Sequence, residues 1–373
     1  MPRSTVARLF AALGIVLFMA GCAMQRVAET PRFEVDPFWP RPLPNNWILG
    51  QVAGVAVDER DHVWIIQRPR SLSADERGAA LNPPRSKCCV PAPPVIEFDR
   101  AGNVVQAWGG PGQGYEWPAN EHGIRVDPKG NVWVGGNGAN DGMLLKFSRE
   151  GKFLMQIGHA GPSKGNNDTT QLGRPADTWF DAAVNEIYVA DGYSNQRVIV
   201  FDSETGAYKR HWGAYGKPPP NTIKPPAYDP NAPLSPNFNA IVHCVKIASD
   251  GLVYVCDRVN DRVQVFRKDG SFVREWVHLK ETRGGGSTWD IGFCPDREQS
   301  VILLADGENN EVRITRRADG EILGSFGRSG RNAGMFHWVH NIAIDSNGNA
   351  YTSEVDNAKR VQRFRPISGS PQR

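Results

Sequence analysis

EHGIRVDPKGNVWVG (residues 121–135), VHCVKIASDGLVYVC (242–256) and VHNIAIDSNGNAYTS (339–353) are copies of one unit. Each opens with a short apolar run, passes a turn at Lys-Gly, Asp-Gly or Asn-Gly, and returns as a second run of strand-forming residues. That is the pattern of two β-strands joined by a tight turn. Three further copies lie around them: VAGVAVDERDHVWII (52–66), PADTWFDAAVNEIYVA (175–190) and TWDIGFCPDREQSVILLA (288–305). Four strands can be read in the second copy, as HGIRVD, NVWVGG, GMLLKFS and KFLMQIG. A repeat of roughly 40 residues with four strands predicts a propeller blade. The expected fold is therefore all-β, a six-bladed β-propeller. A parallel β-helix is the rival repeat fold, but its repeats are shorter. The sixth copy ends after RVQRFRP (360–366), one strand short. The segment around RFEVDPFWP (32–40) is expected to supply that strand and close the ring, which removes exposed sheet edges.

Aligned on the first strand, one slot holds Ala53, His122, Ala176, His243, Trp289 and His340. Histidine recurs in alternate copies, so closure of six blades sets the three about 120° apart around the axis. Three neutral imidazoles converging on an axis suit Zn²⁺, with bonds of about 2.0–2.1 Å and a position left open for water or substrate. Another borderline metal is not excluded by these ligands. The five other histidines, His337 among them, share no such register and read as surface or packing residues.

A second ring comes from the ends of the second strands, which reach the same face. They carry Arg68 in IIQRPR, Tyr193 in ADGYSNQR and Arg258 in VCDRVNDR. An arginine beside a metal can clamp a carboxylate bidentately. A phenol beside a cation ionises more readily and can act as a base. For Arg258 the competing reading is an ion pair with Asp257 or Asp261; Arg197 and Arg262 read as structural. Two long insertions, residues 69–94 and 216–237, fall on this face as lids or binding loops.

Residues 1–21 read as a signal segment. Arg3 and Arg8 precede LFAALGIVLFMAG (9–21), which is too short to span a membrane comfortably. FMAGC (18–22) resembles a bacterial lipoprotein signal, in which Cys22 is lipidated after cleavage; a signal peptide without lipid is the alternative. Ala23 after the cysteine resembles outer-membrane sorting, so the expected location is the cell envelope, lipid-anchored and facing the periplasm. The remaining organisation is a tether (22–32), the propeller (33–368) and a C-terminal tail (369–373). Export permits disulfides. Cys244 and Cys256 fall opposite each other on one hairpin; the pairing of Cys88, Cys89 and Cys294 is left open. The net charge of +3 over 373 residues, with no basic run interleaved with aromatics, argues against a nucleic-acid partner. Membrane contact is expected through the anchor alone, and no oligomer is implied.

With these motifs in place, the repeats resemble the NHL family, VHNIAID (339–345) being the nearest copy of its motif. More narrowly, residues from about 50 to 365 resemble the peptidyl-α-hydroxyglycine α-amidating lyases, six-bladed NHL propellers that cleave a C-terminal hydroxyglycine to a peptide amide and glyoxylate. The resemblance implies zinc on His122, His243 and His340, a catalytic tyrosine at Tyr193 and an active-site arginine at Arg68. It also implies a calcium ion in the channel, on the backbone carbonyls of Val55 and Ile124 and an aspartate. That aspartate position is Asn341 here, which removes a charge and weakens the calcium expectation. A family methionine beside the third zinc histidine is Trp338 here. With Arg258, Trp338 is expected to contact substrate. The family's disulfide positions are not kept, since Ser194 follows Tyr193.

The leading functional expectation is a zinc-dependent lyase acting on an N-acyl or peptidyl α-hydroxyglycine or a similar carbinolamide. Two other classes compete: a non-catalytic NHL propeller that binds a protein, peptide or envelope glycan, and a lactonase-type propeller hydrolase. Lactonase-type sites use calcium with carboxylate and amide ligands, and this channel offers histidines.

Overall fold

A computed structural model of the chain describes residues 30–221 and 225–367. The signal segment, Cys22 and the C-terminal tail lie outside the described residues. Six four-stranded antiparallel sheets follow one another along the chain. Blade 1 comprises Gln51–Val57, Val63–Arg68, Val95–Phe98 and Val104–Trp108, and blade 2 Glu121–Val126, Val132–Gly136, Met143–Phe147 and Phe153–Gly158. Blade 3 comprises Asp177–Asp181, Glu186–Asp191, Arg197–Asp202 and Tyr208–Trp212, and blade 4 Val242–Ile247, Val253–Asp257, Arg262–Phe266 and Phe272–Val277. Blade 5 is Asp290–Phe293, Val301–Asp306, Glu311–Arg316 and Ile322–Phe326. Blade 6 takes Val339–Ile344, Ala350–Glu354 and Arg360–Pro366 from the end of the chain and Phe33–Asp36 from its start, with Phe33 opposite Pro366. The first strands of successive blades touch all the way round, blade 6 meeting blade 1. They enclose the axis.

The apolar runs of the second strands follow from this closure. Each blade is sandwiched, so both faces of its sheet are buried and adjacent residues must both be apolar. In Val63–Trp64–Ile65–Ile66, Val63 and Ile65 join the cluster shared with blade 6, while Trp64 and Ile66 join the one shared with blade 2. One such cluster fills each of the six blade interfaces. The outer strands keep exposed apolar residues such as Val105, Leu154 and Ile322, since nothing packs on the rim.

The turns are pinned by side chains. Asp127 accepts from the backbone of Lys129 and Asn131 and from the Trp133 indole, and Asp58 does the same for Arg60, His62 and Trp64. At the other end, Arg197 pairs with Asp191 and Arg262 with Asp257, all four buried, which makes these arginines structural as read. Cys244 and Cys256 are joined across blade 4, Cys88 is joined to Cys89, and Cys294 is free. The insertion at 69–94 returns to the chain's start, Val90–Pro91 pairing in parallel with Trp47–Ile48. Among the described residues no helix is long and apolar enough to cross a membrane.

Candidate metal centre and its surroundings

In blades 1, 2, 4 and 6 the first strand is irregular at the slot residue. Val242 pairs with Asp257 and Cys244 with Cys256, which leaves His243 as an extra residue; His340 is skipped in the same way between Val339 and Asn341. Blade 1 skips Ala53, and the ladder of blade 2 breaks across His122 and Gly123. A β-bulge of this kind re-aims the side chain it carries. Here it turns the three imidazoles toward the axis, where their ring centres lie 4.7–5.2 Å apart. Close approach of the strands requires Gly123, since a Cβ there would lie 2.7 Å from the Ala176 carbonyl oxygen.

The ring nitrogens are sorted by their partners. His122 Nδ1 lies 2.8 Å from the Ala176 oxygen, His243 Nδ1 2.6 Å from that of Trp289, and His340 Nδ1 2.8 Å from that of Ala53. Each partner is the slot residue of the next blade. A backbone carbonyl only accepts, so each Nδ1 carries the proton and each Nε2 presents a lone pair. The three imidazoles are buried, and one ligand nitrogen from each lies within 4.8 Å of the others. His243 Nε2 has no hydrogen-bond partner among the described residues, and His122 Nε2 accepts from the Tyr193 hydroxyl at 2.8 Å. Burial, reinforced by the positive charges of the site, holds His122 and His243 well below the ordinary imidazole range and brings His340 down to about 3. The imidazoles are therefore neutral, the form that ligates a metal. Three lone pairs converging on one point, of which His122's alone is given a donor, by Tyr193, repel one another unless a cation sits among them. The donor set fits a divalent metal that takes nitrogen ligands.

Around this centre stand the residues of the second ring. Tyr193 follows the second strand of blade 3, and its ring lies 4.9 Å from His122 and 5.9 Å from His243. Arg68 ends the second strand of blade 1 and donates to the Glu121 carbonyl, Gln51 and Asn137. Burial lowers its pKa, while Tyr193, Glu121 and Asp141 act to raise it. Arg258 lies beside Tyr193, donates to the Gly285 carbonyl at 2.7 Å and stacks 3.8 Å from the Trp289 ring centre. Asp257 pairs with Arg262 instead, so the alternative of an Arg258 ion pair gives way. Neither Arg68 nor Arg258 has a carboxylate within ion-pair distance among the described residues. Trp338 is 39% exposed and packs its ring 5.6 Å from Trp289, which in turn touches His243 and His340.

Three members of the site were not legible beforehand. Arg174 places its guanidinium 5.6 Å from the Tyr193 ring centre, and Asn137 ties Arg174 to Arg68. Trp289 carries no sequence signal beyond its place in the slot. No sequence signal marks Arg174, in the loop between blades 2 and 3, or Asn137, in the loop joining the second and third strands of blade 2. The other histidines stay apart: His337 pairs with Asp356, and His62 sits with Asp58 and Glu97 around Arg149, a guanidinium that occupies the centre a metal would need.

The calcium expectation does not fit. The Asn341 amide oxygen lies 2.6 Å from His340 Nδ1, and its nitrogen donates to Asp290. The carboxylates nearest to Asn341, Asp290 and beyond it Asp177, both hold the Lys246 ammonium.

No known family profile matches the chain. It is 26% identical over 352 residues to peptidyl-glycine alpha-amidating monooxygenase B of Xenopus laevis, a match that covers 89% of this chain and 35% of that protein. It is 25% identical over 349 residues to peptidyl-alpha-hydroxyglycine alpha-amidating lyase 1 of Drosophila melanogaster, covering 87% of this chain and 58% of that one. NHL repeat-containing protein 3 of Homo sapiens is 25% identical over 286 residues, 74% of either chain. Among solved structures, a streptogramin B lyase superposes with a TM-score of 0.51 at 11% identity, over 91% of this chain and 99% of that one. Such a likeness shows the propeller fold alone.

Proposed function

We propose that the chain is a zinc-dependent lyase that cleaves an N-acyl or peptidyl α-hydroxyglycine to an amide and glyoxylate. The observation that carries this reading is the ring of three outward-hydrogen-bonded imidazoles with a phenol and two carboxylate-free guanidiniums beside it. The named relatives support it at modest identity. His122, His243 and His340 would hold the zinc, which when bound supplies Lewis acidity toward a substrate oxygen. Arg68, with Arg258, binds the substrate carboxylate and orients the carbinol carbon toward the axis. Once the proton it gives His122 has been released to solvent, on loading of that lone pair by the metal, the Tyr193 oxygen would take the carbinol hydroxyl proton. The carbon–oxygen double bond then forms as the carbon–nitrogen bond breaks, and the proton passes from Tyr193 to the departing amide nitrogen. Arg174 and Arg258 offset negative charge on the phenol oxygen while the proton is away.

The test is glyoxylate release from an N-acyl α-hydroxyglycine by zinc-loaded protein. Arg68→Ala should raise KM about tenfold or more through loss of the carboxylate clamp, with a smaller change in kcat. An unchanged KM would remove Arg68 from substrate binding. Zinc-loaded wild type that releases no glyoxylate would favour the second reading, a non-catalytic propeller that binds a protein, peptide or glycan.

We further propose that the protein is exported and tethered to the outer membrane through a lipid on Cys22, on the strength of FMAGC after the apolar run. Cys22→Ser should shift it from the membrane fraction to the soluble or unprocessed fraction. Unaltered fractionation of that variant would defeat the lipoprotein reading.

A further inference from the structure

Below the histidine ring, the next slot along the first strands holds Asp177, Asp290 and Asn341 in blades 3, 5 and 6. Two positions further on, the corresponding slot holds Arg125, Trp179 and Lys246 in blades 2, 3 and 4. These side chains form one buried network. Lys246 Nζ lies 2.7 Å from Asp177 and 3.0 Å from Asp290, and Arg125 lies 3.1 Å from the other oxygen of Asp177. Arg125 and Lys246 flank Trp179, at 4.5 and 5.5 Å from the ring centre. Lys246 and Asp290 are each 1% exposed, so neither charge is relieved by solvent. Two carboxylates and two cations balance. The second oxygen of Asp290 accepts from the Ile342 backbone and from Asn341 Nδ2, both at 3.0 Å, and the Asn341 oxygen lies 2.6 Å from His340 Nδ1.

We infer that the Lys246 ammonium is the resident cation of this channel, excluding a divalent ion there, and that through Asp290 and Asn341 it positions His340. A divalent ion in the channel would need carboxylate or carbonyl oxygens free to converge on it. Here one oxygen of each carboxylate is held by the ammonium, and the remaining oxygens are held by Arg125, Asn341 and backbone N–H groups. The same chain of bonds fixes the Asn341 amide. Its nitrogen must face Asp290, so its oxygen must face the imidazole and helps keep the proton on Nδ1 and the lone pair on Nε2. Lys246 and Asn341 are positioning residues. The first half of the inference stands independently of the proposed activity, whereas the second rests on the metal reading of the histidines.

The two halves are tested separately. Metal-stripped wild type, dialysed against calcium chloride, should retain no stoichiometric calcium and show no shift in Tm; one retained equivalent would overturn the resident-cation assignment. Lys246→Met leaves Asp177 and Asp290 without their shared ammonium, and its Tm should rise with millimolar calcium. A folded variant whose Tm ignores calcium counts against the assignment too, and if the variant fails to fold the wild-type measurement still decides. For the second half, Asn341→Leu keeps the volume and loses both bonds. It should bind zinc about 10–100-fold more weakly than wild type in a chelator competition. Equal zinc affinity would remove Asn341 from positioning, and a wild type that takes no zinc would sink this half and the metal reading together while leaving the calcium result to stand on its own.

Discussion

Protein carrying His243→Ala should emerge from purification with its zinc at background, where wild type holds about one equivalent. His243 Nε2 is buried and has no hydrogen-bond partner among the described residues, so that nitrogen has no competing role in the fold. The two imidazoles left on blades 2 and 6 cannot close the site, because Trp289 lines the space beside the lost one. The fold should survive the change, since the six apolar interfaces lie between blades and not on the axis. Metal analysis by mass spectrometry, with far-ultraviolet circular dichroism as the folding control, reads both. Cys88 and Cys89 are joined to each other and are poor alternative ligands. A His243→Ala protein with full zinc content would place the metal elsewhere and falsify the site.

The second large effect is on turnover. Tyr193→Phe should lower kcat on an N-acyl α-hydroxyglycine about 10²–10⁴-fold, the usual span for a lost general base. Phe keeps the ring that packs on His122 and His243 and removes only the oxygen that hydrogen-bonds to His122. Zinc content should not fall, because that hydroxyl donates to a ligand lone pair and is not itself needed to orient the ring; Ala176 does that through Nδ1. Loss of both zinc and turnover would mean that Tyr193 supports the site instead of acting on substrate. Turnover equal to wild type would take the proton transfer away from it altogether.

The sequence by itself determined the architecture and the histidine ring. Strand pairs punctuated by turns such as Asp-Gly and Asn-Gly recur six times, and a repeat is a property of the chain that needs no coordinates. A shared slot in alternate repeats becomes a shared height in alternate blades, which is why His122, His243 and His340 could be grouped although more than a hundred residues separate His122 from His243. The ends of the second strands followed from the same register and gave Arg68, Tyr193 and Arg258. Only the tertiary structure decided how those residues are aimed and what surrounds them. The bulge that turns each imidazole inward arises from the pairing of two strands, as when Val242 meets Asp257 and Cys244 meets Cys256 around His243. The carbonyls that fix the ring protons come from the neighbouring blade, so they exist only once the ring has closed. Arg174 reaches Tyr193 from an inter-blade loop with no periodic signal. The exchange of a calcium expectation for a Lys246 ammonium depends on distances between three blades, and a register can say which residues share a level but not which charges touch.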